Sequence, residues 1–114
     1  MLINRFQNNT SFCAKLNITG HTFDDSKLIR QLSQKAKNIG LESDVIELKF
    51  KPHTPKSALP GEIVENFRAR FLPEGTGGGL EKRRDRIYAD NYTDLWKQEK
   101  EVVTDYIDRL QKRV

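Results

Sequence analysis

The sequence predicts an α/β chain of the two-layer α+β kind: a β-α-β unit with helices on one sheet face, followed by a long C-terminal amphipathic helix. Three observations carry this expectation. Residues 12–19 and 45–51 alternate apolar and polar side chains. The residues between them repeat at helical spacing, and from residue 80 onward apolar and aromatic residues follow one helical stripe.

The first strand is read from Phe12, Ala14, Leu16 and Ile18 on one face, with Cys13, Lys15, Asn17 and Thr19 on the other. A period of two marks a half-buried strand, and Gly20 ends the run. The second strand sets Ile46, Leu48 and Phe50 against Glu47, Lys49 and Lys51, and Pro52 stops it by removing a ladder donor. Only one face of each strand is apolar, whereas a parallel sheet covered on both faces reads as continuous hydrophobic runs. The expectation is therefore one covered face and one solvated or partner-binding face.

Between the strands, Leu28, Ile29, Leu32, Ala36 and Ile39 predict a helix of roughly 15 residues. Thr22 with Asp25 reads as its capping box. Gly40 suits a left-handed terminator, with Leu41 folding back on the last turn. Lys27, Arg30, Lys35 and Lys37 make this helix basic. They either complement the helix dipole or form a phosphate-binding surface. Ile18-Thr19-Gly20-His21-Thr22-Phe23-Asp24, followed by a basic helix ending at Gly40-Leu41, resembles the first β-α-β unit of some ribosomal proteins over about a quarter of the chain. That resemblance implies an RNA-associated role.

Residues 52–61, with three prolines, read as an extended connector, because each proline pushes the preceding residue out of helical geometry. It divides one domain into a basic half, 1–58, and a helical half, 59–114. Residues 62–72 fit two periods: Ile63, Phe67 and Phe71 are helically spaced, while Phe67, Ala69 and Phe71 also alternate with Arg68 and Arg70. Glu62 and Glu65 after Pro60-Gly61 favour a helix start. Under the strand alternative, Arg68 and Arg70 would project together and make a better anion site. Residues 73–79 read as a glycine-rich hinge; they match neither the Walker pattern nor the dinucleotide fingerprint.

Leu80, Tyr88, Tyr92, Trp96, Val103, Ile107, Leu110 and Val114 predict the C-terminal helix, about 50 Å long if continuous. Asn91 with Asp94 could cap a new helix and break it in two. Tyr88, Tyr92 and Trp96 form an aromatic ladder just after Lys82, Arg83, Arg84 and Arg86. Core packing and stacking on bases are both compatible with that ladder.

The 114 residues fit one domain. Charged residues make up 32% and hydrophobic residues only 36%, so part of the C-terminal half is expected to need a partner or a second copy for burial. The formal charge is +4. Residues 1–58 hold nine Lys or Arg against five Asp or Glu, and residues 59–114 hold eleven of each. A polyanionic partner follows from that excess. No apolar run spans a bilayer, and the N-terminus lacks a signal-peptide core, so no membrane is expected and a soluble, intracellular protein is. Gln7 to Ser11 read as a loop or flexible arm leading into the first strand; the absence of acids before Asp24 also suits a basic extension or a targeting signal, though Arg5 and Lys15 are few for a transit peptide.

Chemistry-bearing residues are sparse. Cys13 alone cannot form an internal disulfide, and His21 and His53, the two histidines, are expected at offset positions in the fold. No metal-ligand or catalytic spacing occurs, so no cofactor and no enzymatic activity are expected. The expected function is a non-enzymatic module binding RNA or a ribonucleoprotein. Its contacts would be Lys27, Arg30, Lys35, Lys37, Arg68, Arg70, Lys82, Arg83, Arg84 and Arg86. The alternative is a protein-interaction or regulatory protein using Tyr88, Tyr92, Trp96, Val103, Ile107 and Leu110 for a partner or for self-association.

Overall fold

The computed structural model describes residues 14–39, 44–53, 59–73 and 80–113. The expectations for the N-terminal arm, Phe12, Cys13, Gly40, Leu41, Val114, most of the connector (54–58) and the glycines of the hinge (74–79) lie outside the described residues.

The described residues are α+β: they form a four-stranded mixed sheet and two helices, one long and C-terminal. In chain order the elements are β1 (Lys15–Thr19), α1 (Ser26–Ala36), β2 (Val45–Pro52), β3 (Ile63–Leu72), β4 (Leu80–Ala89) and α2 (Tyr92–Arg113). The strands lie side by side in the order β1-β2-β3-β4. β1 pairs parallel to β2, while β2/β3 and β3/β4 are antiparallel.

Gly20 turns the chain out of β1 at φ +76°. α1 starts later than the capping-box reading implies. Asp25 is its N-cap, accepting from the Leu28 backbone N–H at 3.1 Å. Thr22 instead donates its hydroxyl and its N–H to Glu99 of α2. A long-range acceptor has displaced the local one.

Residues 63–72 are a strand and not the helix that their early acids favour. Positions four apart share a face in both geometries, so Ile63, Phe67 and Phe71 could not discriminate. The pairing does. Phe71, Ala69 and Phe67 stand opposite Ile46, Leu48 and Phe50, and the Phe50 and Phe67 rings lie 4.9 Å apart. Gly61, at φ +83°, makes a turn ahead of β3.

Residues 80–89 are also a strand, so the expected continuous helix is shortened to 92–113. Six consecutive charged residues, Glu81 to Arg86, offer a helix no apolar face, whereas a strand joins its neighbour through backbone hydrogen bonds that ask nothing of the side chains. The register slips between Ala69 and Phe71, where β4 bulges and Glu81 takes φ +49°. Asn91 caps α2, its side-chain oxygen accepting from the Asp94 N–H at 2.8 Å.

Both helices contribute to one core on one sheet face. Leu32 and Ala36 of α1 join Leu95, Val103, Tyr106, Ile107 and Leu110 of α2 over Ile46, Leu48, Phe50, Phe67, Ala69, Ile87 and Ala89. Val103, Ile107 and Leu110, expected as partner contacts, are buried here. The sheet consumes the stripe that seemed to need a partner, and each such side chain contributes about 1.5–3 kcal/mol by leaving water.

Candidate functional site

Because Leu16, Ile18, Ile46, Leu48, Phe50, Phe67 and Ala69 point at the helices, the alternate residues of the same strands point away. That second face is strongly basic. β1 places Lys15 on it, β2 places Lys49 and Lys51, β3 places Arg68 and Arg70, and β4 places Lys82, Arg84 and Arg86. Glu47 is the one acid on it among the described strand residues.

The register sharpens this picture. Lys49 stands opposite Arg68, and Arg68 opposite Arg84, so three cations occupy one rung across three strands. Neighbouring strands are about 4.8 Å apart, and like charges directly opposite destabilise a sheet. The next rung holds Lys51, Asn66 and Arg86, with Arg86 Nε donating to Asn66 Oδ1 at 3.2 Å. On the other side Arg70 Nε donates to Glu47 Oε1 at 2.8 Å, and Lys49 Nζ lies 3.8 Å from that oxygen. Arg68, Lys82 and Arg84 make no ion pair with a described residue. A cleft of about 310 Å³ runs among Glu47, Lys49, Arg68, Arg70, Lys82 and Arg84. Tyr88 stands on this face opposite Val64, two residues beyond Arg86.

The expected site residues therefore separate into three groups. Arg68, Arg70, Lys82, Arg84 and Arg86 come together on the open face. Arg83 does not: it points to the helices, where its guanidinium pairs with Asp85 at 2.7 Å and with Asp105 of α2. That hydrogen bond holds the Asp105 carboxyl below its usual range. Lys27, Arg30, Lys35 and Lys37 belong to the helix layer on the opposite side of the sheet, with Lys35 paired to Asp108 at 3.1 Å. One continuous basic surface from α1 to β4 does not exist.

Sequence reasoning left out Lys15, Lys49 and Lys51 as site residues. The alternation of Lys49 and Lys51 with Ile46, Leu48 and Phe50 already carried the signal. The even balance of charge over residues 59–114 hid the rest. β3 and β4 turn Arg68, Arg70, Lys82, Arg84 and Arg86 outward, while among the described acids Glu65 and Asp85 lie on the covered face and Asp94, Glu99, Glu101, Asp105 and Asp108 on α2.

The aromatic ladder is broken. Tyr88 is the penultimate residue of β4, while Tyr92 and Trp96 lie in the first two turns of α2, and the three residues stay 49%, 59% and 41% exposed.

A second polar cluster lies under α2. Glu65 and Glu99 are buried. Glu99 Oε1 accepts from the Thr22 N–H (2.9 Å), the Thr22 hydroxyl (3.0 Å) and the Phe23 N–H (3.2 Å). Burial, a hydrogen bond with Glu99 and repulsion from its charge push the Glu65 carboxyl up from 4.5 to about 8. Glu65 Oε1 and Glu99 Oε2 have no other donor, and a shared proton satisfies this arrangement of two carboxyls. His21 and His53 follow the parallel strands β1 and β2 at the same end of the sheet, and the register, with Thr19 opposite Lys49, sets His53 two residues further along than His21. His21 packs on Phe23, with ring centroids 4.6 Å apart. Among the described residues, no group of three or more His, Cys, Asp or Glu is placed to hold a metal ion, and no helix is long and apolar enough to cross a membrane.

No known family model matches this sequence, and no characterised protein matches it at the sequence level. Among solved structures, a candidate lipoprotein from Caulobacter crescentus is similar at 11% identity over 86% of this chain and 85% of that one, with a TM-score of 0.37. A likeness at that level fixes neither fold nor role.

Proposed function

We propose that this protein is a non-enzymatic module that binds RNA, alone or within a ribonucleoprotein, across the open face of its sheet. The carrying observation is the rung Lys49–Arg68–Arg84, three cations in register, of which Arg68 and Arg84 have no ion pair with a described residue while Lys49 only shares Glu47 with Arg70. Phosphates bound over the cleft would supply the missing negative charge, and contacts of this kind give affinity without reading sequence. Along a strand, alternate side chains are about 6.7 Å apart, so Arg68 with Arg70 and Lys82 with Arg84 and Arg86 offer evenly spaced charges to a repeating backbone. An RNA partner implies that the protein acts inside the cell.

The test is a salt titration of RNA binding. For single strands, log K falls by about 0.7 per phosphate contact for each unit of log salt. Three to five contacts on this face give a slope of about −2 to −3.5, and the double variant Arg68→Gln/Arg84→Gln should flatten it by about 1.4. A wild-type slope near zero, or one the double variant leaves unchanged, overturns the reading.

A second reading, a protein partner, rests on Tyr92 and Trp96. They continue the buried α2 stripe at helical spacing, yet remain exposed. Self-association measured by sedimentation should vanish in Trp96→Glu if those rings meet a second copy. An unchanged sedimentation profile removes that reading.

A further inference from the structure

We infer that the RNA held on this face is single-stranded, with one base unstacked onto Tyr88 and the backbone following β4 over Arg86, Arg84 and Lys82. The inference rests on the RNA reading and adds the form of the ligand and a stacking residue.

Four observations lead to it. First, the outward side of β4 is a one-dimensional series: Lys82, Arg84, Arg86 and then Tyr88. A linear track of charges ending in an aromatic ring fits a strand whose phosphates and bases can separate, because every base offers a π-face once it leaves the stack. A duplex keeps its bases stacked inside and has nothing to give such a ring. Second, Tyr88 is half exposed although its strand neighbours Ile87 and Ala89 are buried. Its register partner, Val64, is itself buried, so the ring has a firm apolar neighbour and an open side. Third, the Asn66 amide is oriented. Its oxygen accepts from Arg86 Nε, which leaves its NH2 group to donate. Asn66 lies on the adjacent strand one rung from Tyr88, within reach of the edge of a base stacked there. Fourth, among the described residues no helix covers this face: Arg68, Arg84, Arg86 and Lys82 are exposed on it, while α1 and α2 both pack on the other side.

The alternatives are weaker. The helix layer offers a groove among Asp25, Lys100, Glu101, Asp105 and Asp108, whose acids disfavour a phosphate chain.

The experiment uses fluorescence anisotropy with the full chain, one labelled mixed-sequence RNA strand, and the same strand annealed to its complement. The single strand should bind at least ~10-fold more tightly than the duplex. Tyr88→Ala should weaken single-strand binding by about 10-fold, as expected for the loss of one stacked base, and leave duplex binding as it was. Tyr88→Phe should retain wild-type affinity, because the ring and not the hydroxyl does the stacking. Equal affinity for both forms, or equal loss of both in Tyr88→Ala, overturns this inference while leaving an RNA-binding surface. Failure of both forms to bind overturns the inference and the proposed function together. Circular dichroism of Tyr88→Ala establishes that the variant is folded.

Discussion

At the scale of single residues, Glu65 is the side chain whose chemistry departs furthest from its ordinary behaviour. Burial, aided by the adjacent Glu99 carboxyl, raises it from 4.5 to about 8, so the folded protein keeps a proton that the unfolded chain releases. Stability from a raised carboxyl pKa is fully present below 4.5 and is lost as pH climbs through about 8. Thermal melts should therefore show the midpoint falling by about 4 °C or more between mildly acidic and mildly alkaline buffer. Glu65→Gln, which keeps the shape and a donor but cannot ionise, should lose most of that dependence and exceed the wild type at the alkaline end. Parallel pH profiles for the two proteins would mean that Glu65 is ionised throughout. None of this was legible in the sequence. Glu65 reads there as an acid near a helix start, and the carboxyl that adds to its shift, Glu99, is 34 positions away.

At the scale of elements, turns were the features that local chemistry decided best. Gly20 ends β1 as its place in the sequence suggests, and the structure adds why only glycine serves. A Cβ at this position would lie 2.0 Å from the Phe50 carbonyl oxygen, on backbone that cannot step aside. Gly61 has a similar φ, +83°, but open space around it. The two positions therefore separate crowding from conformational strain. Gly61→Ala should cost about 1–2 kcal/mol, the ordinary penalty of a left-handed residue. Gly20→Ala should cost clearly more, because β1 and β2 must also move apart. Urea unfolding of both variants measures the difference, and equal costs would show that Phe50 gives way freely. Asn91 was likewise legible as a cap, because a cap needs only residues three apart. The strands β3 and β4 were not. Phe67 and Phe71 satisfy two periods at once, and the charged run Glu81–Arg86 satisfies neither, so only pairing with a neighbour could choose.

At the scale of the whole molecule, the sorting of charge between layers is the main feature. Net charge understates it, since α2 carries acids that pair across to Lys35 and Arg83 while the open sheet face keeps its bases together. An unliganded face with three cations in one rung opposes its own folding. Arg68→Gln/Arg84→Gln should accordingly raise the melting temperature of the free protein by a few degrees, in the same variant that weakens RNA binding. Added salt should stabilise the wild type more than the variant, because screening acts on the repulsion that the variant has already lost. A variant less stable than the wild type at low salt would show that these arginines are structurally satisfied and would remove the argument from repulsion.

What the sequence by itself determined were the features set by neighbours a few positions apart. These are the alternation of β1 and β2, the apolar spacing of α1 and α2, the glycine turn at Gly20 and the cap at Asn91. It also determined that β1 and β2 each have one polar face, with Lys49 and Lys51 on that of β2. Tertiary structure alone decided that 63–72 and 80–89 are strands, that Val103, Ile107 and Leu110 are core, and that Arg83 pairs with Asp85 and Asp105 while Arg68 and Arg84 pair with no described acid. The physical reason is the range of the interactions. Caps, turns and periodicity are settled within a few residues of chain, whereas strand pairing and side-chain environment depend on contacts between segments far apart in sequence, whose register no local pattern encodes.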